Sequence, residues 1–243
     1  MATDARTQPV RFPADDVEIG GEIAEARAEP RGELVLFPDV HGLSDLYRRL
    51  ATRFADEGYT TLVLDPYVRQ GTPHLPDPTA VARWIAELDD RRAVGDVEAA
   101  LRFLRGRPGR EARRVGVVGF CLGGQYALMA ACLLRGLDAC VSFYGMLRAE
   151  PRPPRKPWCP LELVPELRCP LLALFGADDP LIPLADVREL ERALGRAGKD
   201  FEVEVYPGAG HAFLNDTRPD AYRPEAAERA WRRAIGFLRA RLG

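Results

Sequence analysis

Histidine and lysine are scarce in this chain. Of its 243 residues only His41, His74 and His211 are histidine, and only Lys156 and Lys199 are lysine. Any imidazole chemistry therefore falls to one of three positions. An excess of either charge is also missing: 34 basic side chains stand against 36 acidic ones, a formal net charge of −2. That balance gives no electrostatic footprint for nucleic acid or an anionic membrane surface. The five cysteines, Cys121, Cys132, Cys140, Cys159 and Cys169, form no C-x-x-C pair and share no zinc-type spacing with histidine. An odd, scattered set points away from a disulfide framework and towards free thiols in a reducing compartment. No apolar run reaches membrane-spanning length. The stretch Met1 to Arg6 lacks the apolar core of a signal peptide. The expectation is a soluble cytoplasmic protein, monomer or homodimer, whose partner is a small molecule.

What is present is alternation. Apolar residues make up 47% of the chain, enough for a sizeable core. The runs Val17 to Arg27, Glu33 to Phe37, Thr60 to Leu64, Val115 to Gly119, Ala139 to Tyr144, Leu171 to Phe175 and Phe201 to Tyr206 read as strands. Helical patterns lie between them. Leu46, Leu50 and Phe54 recur at four-residue spacing, with Gly58 as the stop. Asp77 and Pro78 read as N-cap and first residue of a helix with Val81, Trp84, Ile85 and Leu88 on its apolar face. Val97, Leu101 and Leu104 continue a second stripe that ends near Gly106, and Pro224 opens a final helix with Trp231, Ile235 and Leu238 inside. Strands alternating with helices predict an α/β fold: one domain over residues 1–243, with a mostly parallel sheet and helices on both faces. Ligands of such sheets bind beyond the carboxyl ends of the strands.

One segment breaks the alternation. Residues 146–170 hold Pro151, Pro153, Pro154, Pro157, Pro160, Pro165 and Pro170, and no long helix is possible there. Arg148, Arg152, Arg155 and Lys156 make it basic. It reads as a rim or lid over a pocket, as an oligomer contact, or as a plain surface excursion; Trp158 and Cys159 favour something packed.

The chemistry concentrates at Gly119-Phe120-Cys121-Leu122-Gly123-Gly124, directly after the strand-like Val115 to Val118 and before a helix-compatible Gln125 to Leu134. Strand, Gly-x-nucleophile-x-Gly, helix is the nucleophile elbow of α/β-hydrolases, with Cys in place of the usual Ser. The tight turn needs small neighbours, which Gly119 and Gly123 provide. It also aims the Leu122 N–H at a bound acyl oxygen. Two partners follow in the order this architecture uses. An acid stands after the strand ending at Phe175: Asp179, preferred over Asp178 because it lies four residues before Pro183, although Asp-Asp-Pro is also a turn signal. His211 stands in the Gly-rich loop after Tyr206.

The early strand Leu34 to Phe37 runs into Pro38-Asp39-Val40-His41-Gly42. In this architecture that loop supplies the second oxyanion donor, here the Val40 N–H. Asp39 reads either as a carboxylate reaching the Cys121 sulfur or as a turn residue. His41 either lines the pocket or bonds locally, and nothing assigns a role to His74.

Taken together, G-F-C-L-G-G at Gly119 to Gly124, Asp65-Pro66-Tyr67-Val68-Arg69-Gln70 after a strand, F-Y-G at Phe143 to Gly145, Asp179, and G-H-A-F at Gly210 to Phe213 resemble the dienelactone hydrolase (carboxymethylenebutenolidase) family from about Val17 to the end. The resemblance implies an α/β-hydrolase fold and a Cys121-His211-Asp179 triad that hydrolyses an enol-lactone or related ester, without metal or organic cofactor. It makes Leu122 and Val40 the oxyanion amides and Asp39 the thiol-activating acid, a position where the dienelactone enzymes typically have Glu. The arginine those enzymes carry four residues after the catalytic histidine is Asn215 here. Arg69 is then either a carboxylate ligand or half of a surface salt bridge, and Tyr144 and Phe213 join Arg69 and Asn215 as candidate substrate-binding residues. A general carboxylesterase or thioesterase, and a binding protein that has lost turnover, are the alternatives.

Overall fold

The alternation is realised as one eight-stranded sheet, in a computed structural model that describes residues 6–15, 17–111, 113–148 and 152–243. In chain order the elements are β1 (Gln8–Ala14), β2 (Val17–Ala24), β3 (Gly32–Phe37), α1 (Asp45–Asp56), β4 (Tyr59–Leu64), α2 (Pro78–Glu87), α3 (Asp90–Arg105), β5 (Val115–Phe120), α4 (Leu122–Leu133), β6 (Ala139–Phe143), α5 (Pro160–Leu163), β7 (Leu171–Gly176), α6 (Leu184–Arg196), β8 (Phe201–Tyr206) and α7 (Pro224–Leu242). The strand order is β1-β2-β4-β3-β5-β6-β7-β8. The six strands from β4 to β8 run parallel, while β1 and β2 are antiparallel to their neighbours. Every residue of β3 to β7 is buried, as expected where helices cover both faces. On one face α1 and α7 meet through Phe54 and Trp231, whose rings are 4.4 Å apart; α3 and α4 pack together on the other.

The sequence reading missed β1, whose Pro9 and Pro13 argue against a strand; as the edge strand, β1 tolerates them. It also ran β2 three residues too far, to Arg27. The caps hold as expected: the Asp77 side chain accepts from the Ala80 N–H at 2.9 Å, and Gly58 follows α1 with φ +95°. The expected inner faces of α3 and α7 are buried, whereas α2 buries no residue fully and lies as a half-sunk flap.

The Pro-rich segment forms no long helix among the described residues, only α5 and a following 3-10 turn; Pro151 lies outside them, as do residues 1–5, on which the leader reading falls. From Lys156 onward several of its side chains are buried, among them Cys159, Leu161 and Val164. Lys156 is buried, with Nζ 2.8 Å from Asp90 Oδ1 and 2.9 Å from the Tyr126 hydroxyl, which itself donates to Asp90 Oδ1 at 3.0 Å. The Asp90 N–H donates to the Arg155 carbonyl at 2.9 Å. One lysine thus ties the excursion to the start of α3 and to α4. Among the described residues no helix is long and apolar enough to cross a membrane.

Candidate active site

Cys121 sits between β5 and α4 at φ 55° and ψ −117°, a conformation that a non-glycine residue keeps only when its surroundings enforce it. They do so by close approach. A Cβ at Gly119 would lie 2.0 Å from the Gly123 carbonyl oxygen, and one at Gly123 would lie 2.2 Å from that of Phe37. The Cys121 N–H donates to the Phe143 carbonyl at 3.0 Å, which fastens the turn to β6. Cys121 is partly exposed, and the other four cysteines are buried. Burial pushes the thiols of Cys132 and Cys169 up to about 12 and also raises that of Cys140 well above its usual range, so these stay protonated.

His211, on the loop after β8, faces the sulfur. Its Nε2 is 3.0 Å from Cys121 Sγ and its Nδ1 is 2.8 Å from Asp179 Oδ2. The other Asp179 oxygen accepts from the Leu181 N–H at 2.8 Å, and that carboxylate is buried. Asp178 contributes backbone instead: its N–H donates to the Ala209 carbonyl at 2.9 Å and joins the acid loop to the histidine loop. Burial alone would lower the His211 pKa. The hydrogen bonds to Asp179 and Cys121, with the negative charge on both, outweigh burial and raise it to about 10. Tyr144 packs edge-on against the imidazole, and Phe213 packs edge-on against Tyr144 in turn. Phe213 is wholly buried and also touches Tyr206, so it supports the site from behind.

The Leu122 N–H is the first of α4 and belongs to the set that lacks an intrahelical acceptor. Among the described residues the Val40 N–H likewise has no hydrogen-bond partner. Asp39 is found in its turn role: Oδ1 accepts from the His41 N–H at 2.9 Å, and no hydrogen bond joins it to the sulfur. A side chain one methylene shorter than glutamate folds back on its own loop. His41 is exposed.

The remaining substrate-binding candidates have protein partners, and Arg69 with its partner Asp96 also lines the cleft beside the elbow. Arg69 makes a two-pronged pair with Asp96, both contacts at 2.7 Å; the pair is partly buried, where the sequence reading had a surface salt bridge as the alternative to a carboxylate ligand. The Asn215 carboxamide oxygen accepts from Thr217, from its N–H at 3.0 Å and its hydroxyl at 2.6 Å. A cleft of about 290 Å³ opens beside the elbow, lined by Phe37, Tyr67, Trp84, Leu122, Tyr126 and Arg155 among others. Its aromatic wall was not anticipated. The Trp84 spacing on α2 looked like core, and only the Asp65 to Gln70 segment signalled Tyr67. Among the described residues no group of three or more His, Cys, Asp and Glu side chains could hold a metal ion.

A sequence profile described as the dienelactone hydrolase family matches residues 19–242. The chain belongs to that family. It is a dienelactone hydrolase-like carboxylic ester hydrolase with the α/β-hydrolase fold. A Bradyrhizobium protein provisionally named 2-oxo-3-(5-oxofuran-2-ylidene)propanoate lactonase is 35% identical over 209 residues, covering 86% of this chain and 84% of its own. A Methylorubrum extorquens protein provisionally named carboxymethylenebutenolidase is 30% identical, over 98% of this chain and 84% of its own. Among solved structures, one from Klebsiella pneumoniae provisionally titled a dienelactone hydrolase superposes with a TM-score of 0.89 at 28% identity, covering 96% of this chain and 97% of that one.

Proposed function

We propose that this protein hydrolyses a carboxylic ester or enol-lactone with Cys121 as nucleophile, His211 as proton carrier and Asp179 as its orienter. The observation that carries the reading is His211, placed 3.0 Å from the sulfur and 2.8 Å from a buried carboxylate. The thiolate attacks the carbonyl carbon, and the carbonyl electron pair moves to oxygen, held by the N–H groups of Leu122 and Val40. His211 enters this step protonated, because Asp179 and the sulfur raise its pKa to about 10. As the tetrahedral intermediate collapses, it passes its proton to the departing alkoxide or enolate. The resulting thioester carries no charge on sulfur, so one of the influences that held the proton is gone. His211 can then take a proton from water as that water attacks the acyl carbon, and the sulfur leaves.

A second substrate reading has its own support. With Arg69 paired to Asp96 and Asn215 bonded to Thr217, neither position offers a spare cation to a substrate carboxylate. A general carboxylesterase acting on neutral esters fits this. The Bradyrhizobium relative's name favours a lactone. The five free thiols support a cytoplasmic location.

The test is a panel of small lactones and activated esters given to the wild type and to Cys121→Ala, with iodoacetamide labelling mapped by mass spectrometry. Cys121 should be labelled ahead of the other four thiols, and hydrolysis should stop in step with that label. Turnover that survives in Cys121→Ala rejects the assignment.

A further inference from the structure

The Val40 N–H is useful only if its peptide cannot rotate. The loop around it is bonded on both sides of the Val40 Cα. The Asp39 carbonyl accepts from the Gly42 N–H at 2.9 Å, closing a β-turn. That carbonyl belongs to the same peptide plane as the Val40 N–H, so the turn fixes the direction of the donor. The next plane is gripped at both ends. Its N–H, that of His41, donates to Asp39 Oδ1 at 2.9 Å, and its carbonyl, that of Val40, accepts from the Tyr67 hydroxyl at 2.7 Å.

Tyr67 reaches this plane from the loop after β4, the strand beside β3. It is fully buried, Trp84 packs edge-on against it at 5.4 Å, and its own N–H donates to Asp65 Oδ1 at 3.0 Å. Gly42 has φ +73°, and a Cβ there would lie 2.8 Å from the Tyr67 ring, so turn and ring are fitted to one another. Burial, with Asp39 and Cys121 nearby, pushes the phenol above its usual range and keeps it a donor.

We infer that Tyr67 is a positioning residue for the oxyanion hole. Through its hydroxyl it locks the Val40–His41 peptide, and with the Asp39 turn it holds the Val40 N–H on the acyl oxygen. This rests on the acyl-transfer reading above and adds a residue that does not touch the substrate carbonyl.

Tyr67→Phe removes the hydroxyl and keeps the ring against Gly42 and Trp84. In this variant kcat should fall roughly tenfold or more, below the hundred- to thousandfold loss of a donor removed outright. KM should stay within about twofold, as for an interaction made in the transition state. Phenyl trifluoromethyl ketone, which adds the Cys121 sulfur to its carbonyl carbon and places the negative charge on oxygen, should lose affinity by a similar factor. Alkylation of Cys121 by iodoacetamide builds no oxyanion, and its rate should not change. Unchanged kcat and ketone affinity overturn the inference, and so does a fall in alkylation rate that matches the fall in kcat, which would mean general disorder of the site. A thermal melt shows whether the variant is folded. If Cys121→Ala still turns substrate over, the acyl-transfer reading has failed, and the Tyr67→Phe measurements are not what shows it.

Discussion

Tyr144 stands edge-on to His211, ring centroids 5.3 Å apart, and is itself held at φ 39° by a 2.7 Å bond from its N–H to the Leu174 carbonyl. The imidazole is therefore oriented by a ring as well as by a carboxylate. Tyr144→Ala should let it swing, lowering kcat by about tenfold to a hundredfold, the scale of a misplaced catalytic group. KM should change little. Steady-state kinetics of the folded variant check this.

The two adjacent acids should separate sharply. Asp179→Asn removes the charge that holds the His211 proton and orients the ring. It should cost at least about a hundredfold in kcat, the usual scale of general acid–base catalysis. Asp178→Asn keeps the backbone bond to Ala209 and should cost less than about threefold on the same scale. Equal losses in the two variants would reassign the acid.

Arg69 tests substrate grip against structure. Its partner Asp96 is buried, and burial raises that carboxyl's pKa against the opposing effect of Arg69. Arg69→Ala leaves Asp96 without its two-pronged partner and should cost roughly 1–3 kcal/mol in urea unfolding, less than for a fully buried pair because Arg69 is partly exposed. Its KM for carboxylated and neutral substrates should shift by equal factors. A selective loss of carboxylated substrates would make Arg69 a substrate ligand.

Glu33 on β3 gives the stability a pH signature. Both its oxygens are buried without a hydrogen-bond partner, and the nearest guanidinium nitrogens, on Arg107 and Arg110, are 3.8 and 3.9 Å away. Burial raises its pKa from 4.5 to about 7, more than the two arginines lower it. A carboxyl whose folded value is raised contributes stability that is fully present below 4.5 and lost as pH rises through about 7. Glu33→Gln should therefore gain melting temperature relative to wild type between pH 5 and pH 8. Parallel curves across that range would contradict the assignment.

The sheet and the tight turn that holds Cys121 were legible because each rests on local pattern: a period of apolar residues, or a glycine at a fixed offset from Cys121. The order of Cys121, Asp179 and His211 added long-range information to those signals. Other features resisted for physical reasons. Prolines hid β1, since only its edge position excuses them. The fates of Asp39, Arg69 and Asn215 depend on which neighbour captures each side chain, and Thr217, Asp96 and the His41 N–H carry no marker of that in sequence. Tyr67 lay inside a segment singled out for its arginine, and its bond to Val40 spans two strands' loops.

Lys156 has a consequence for variation of the cleft. Because it is bonded to Asp90 and Tyr126, the stretch around it is tied to the elbow helix, while the exposed Arg155 beside it borders the opening. Anchor and rim are thus neighbours in sequence, and Arg155 serves both, its carbonyl bonded to the Asp90 N–H and its side chain at the opening. Exchanging the Arg155 side chain should therefore reshape what enters, while its carbonyl and Lys156 keep the stretch fastened to α3 and α4.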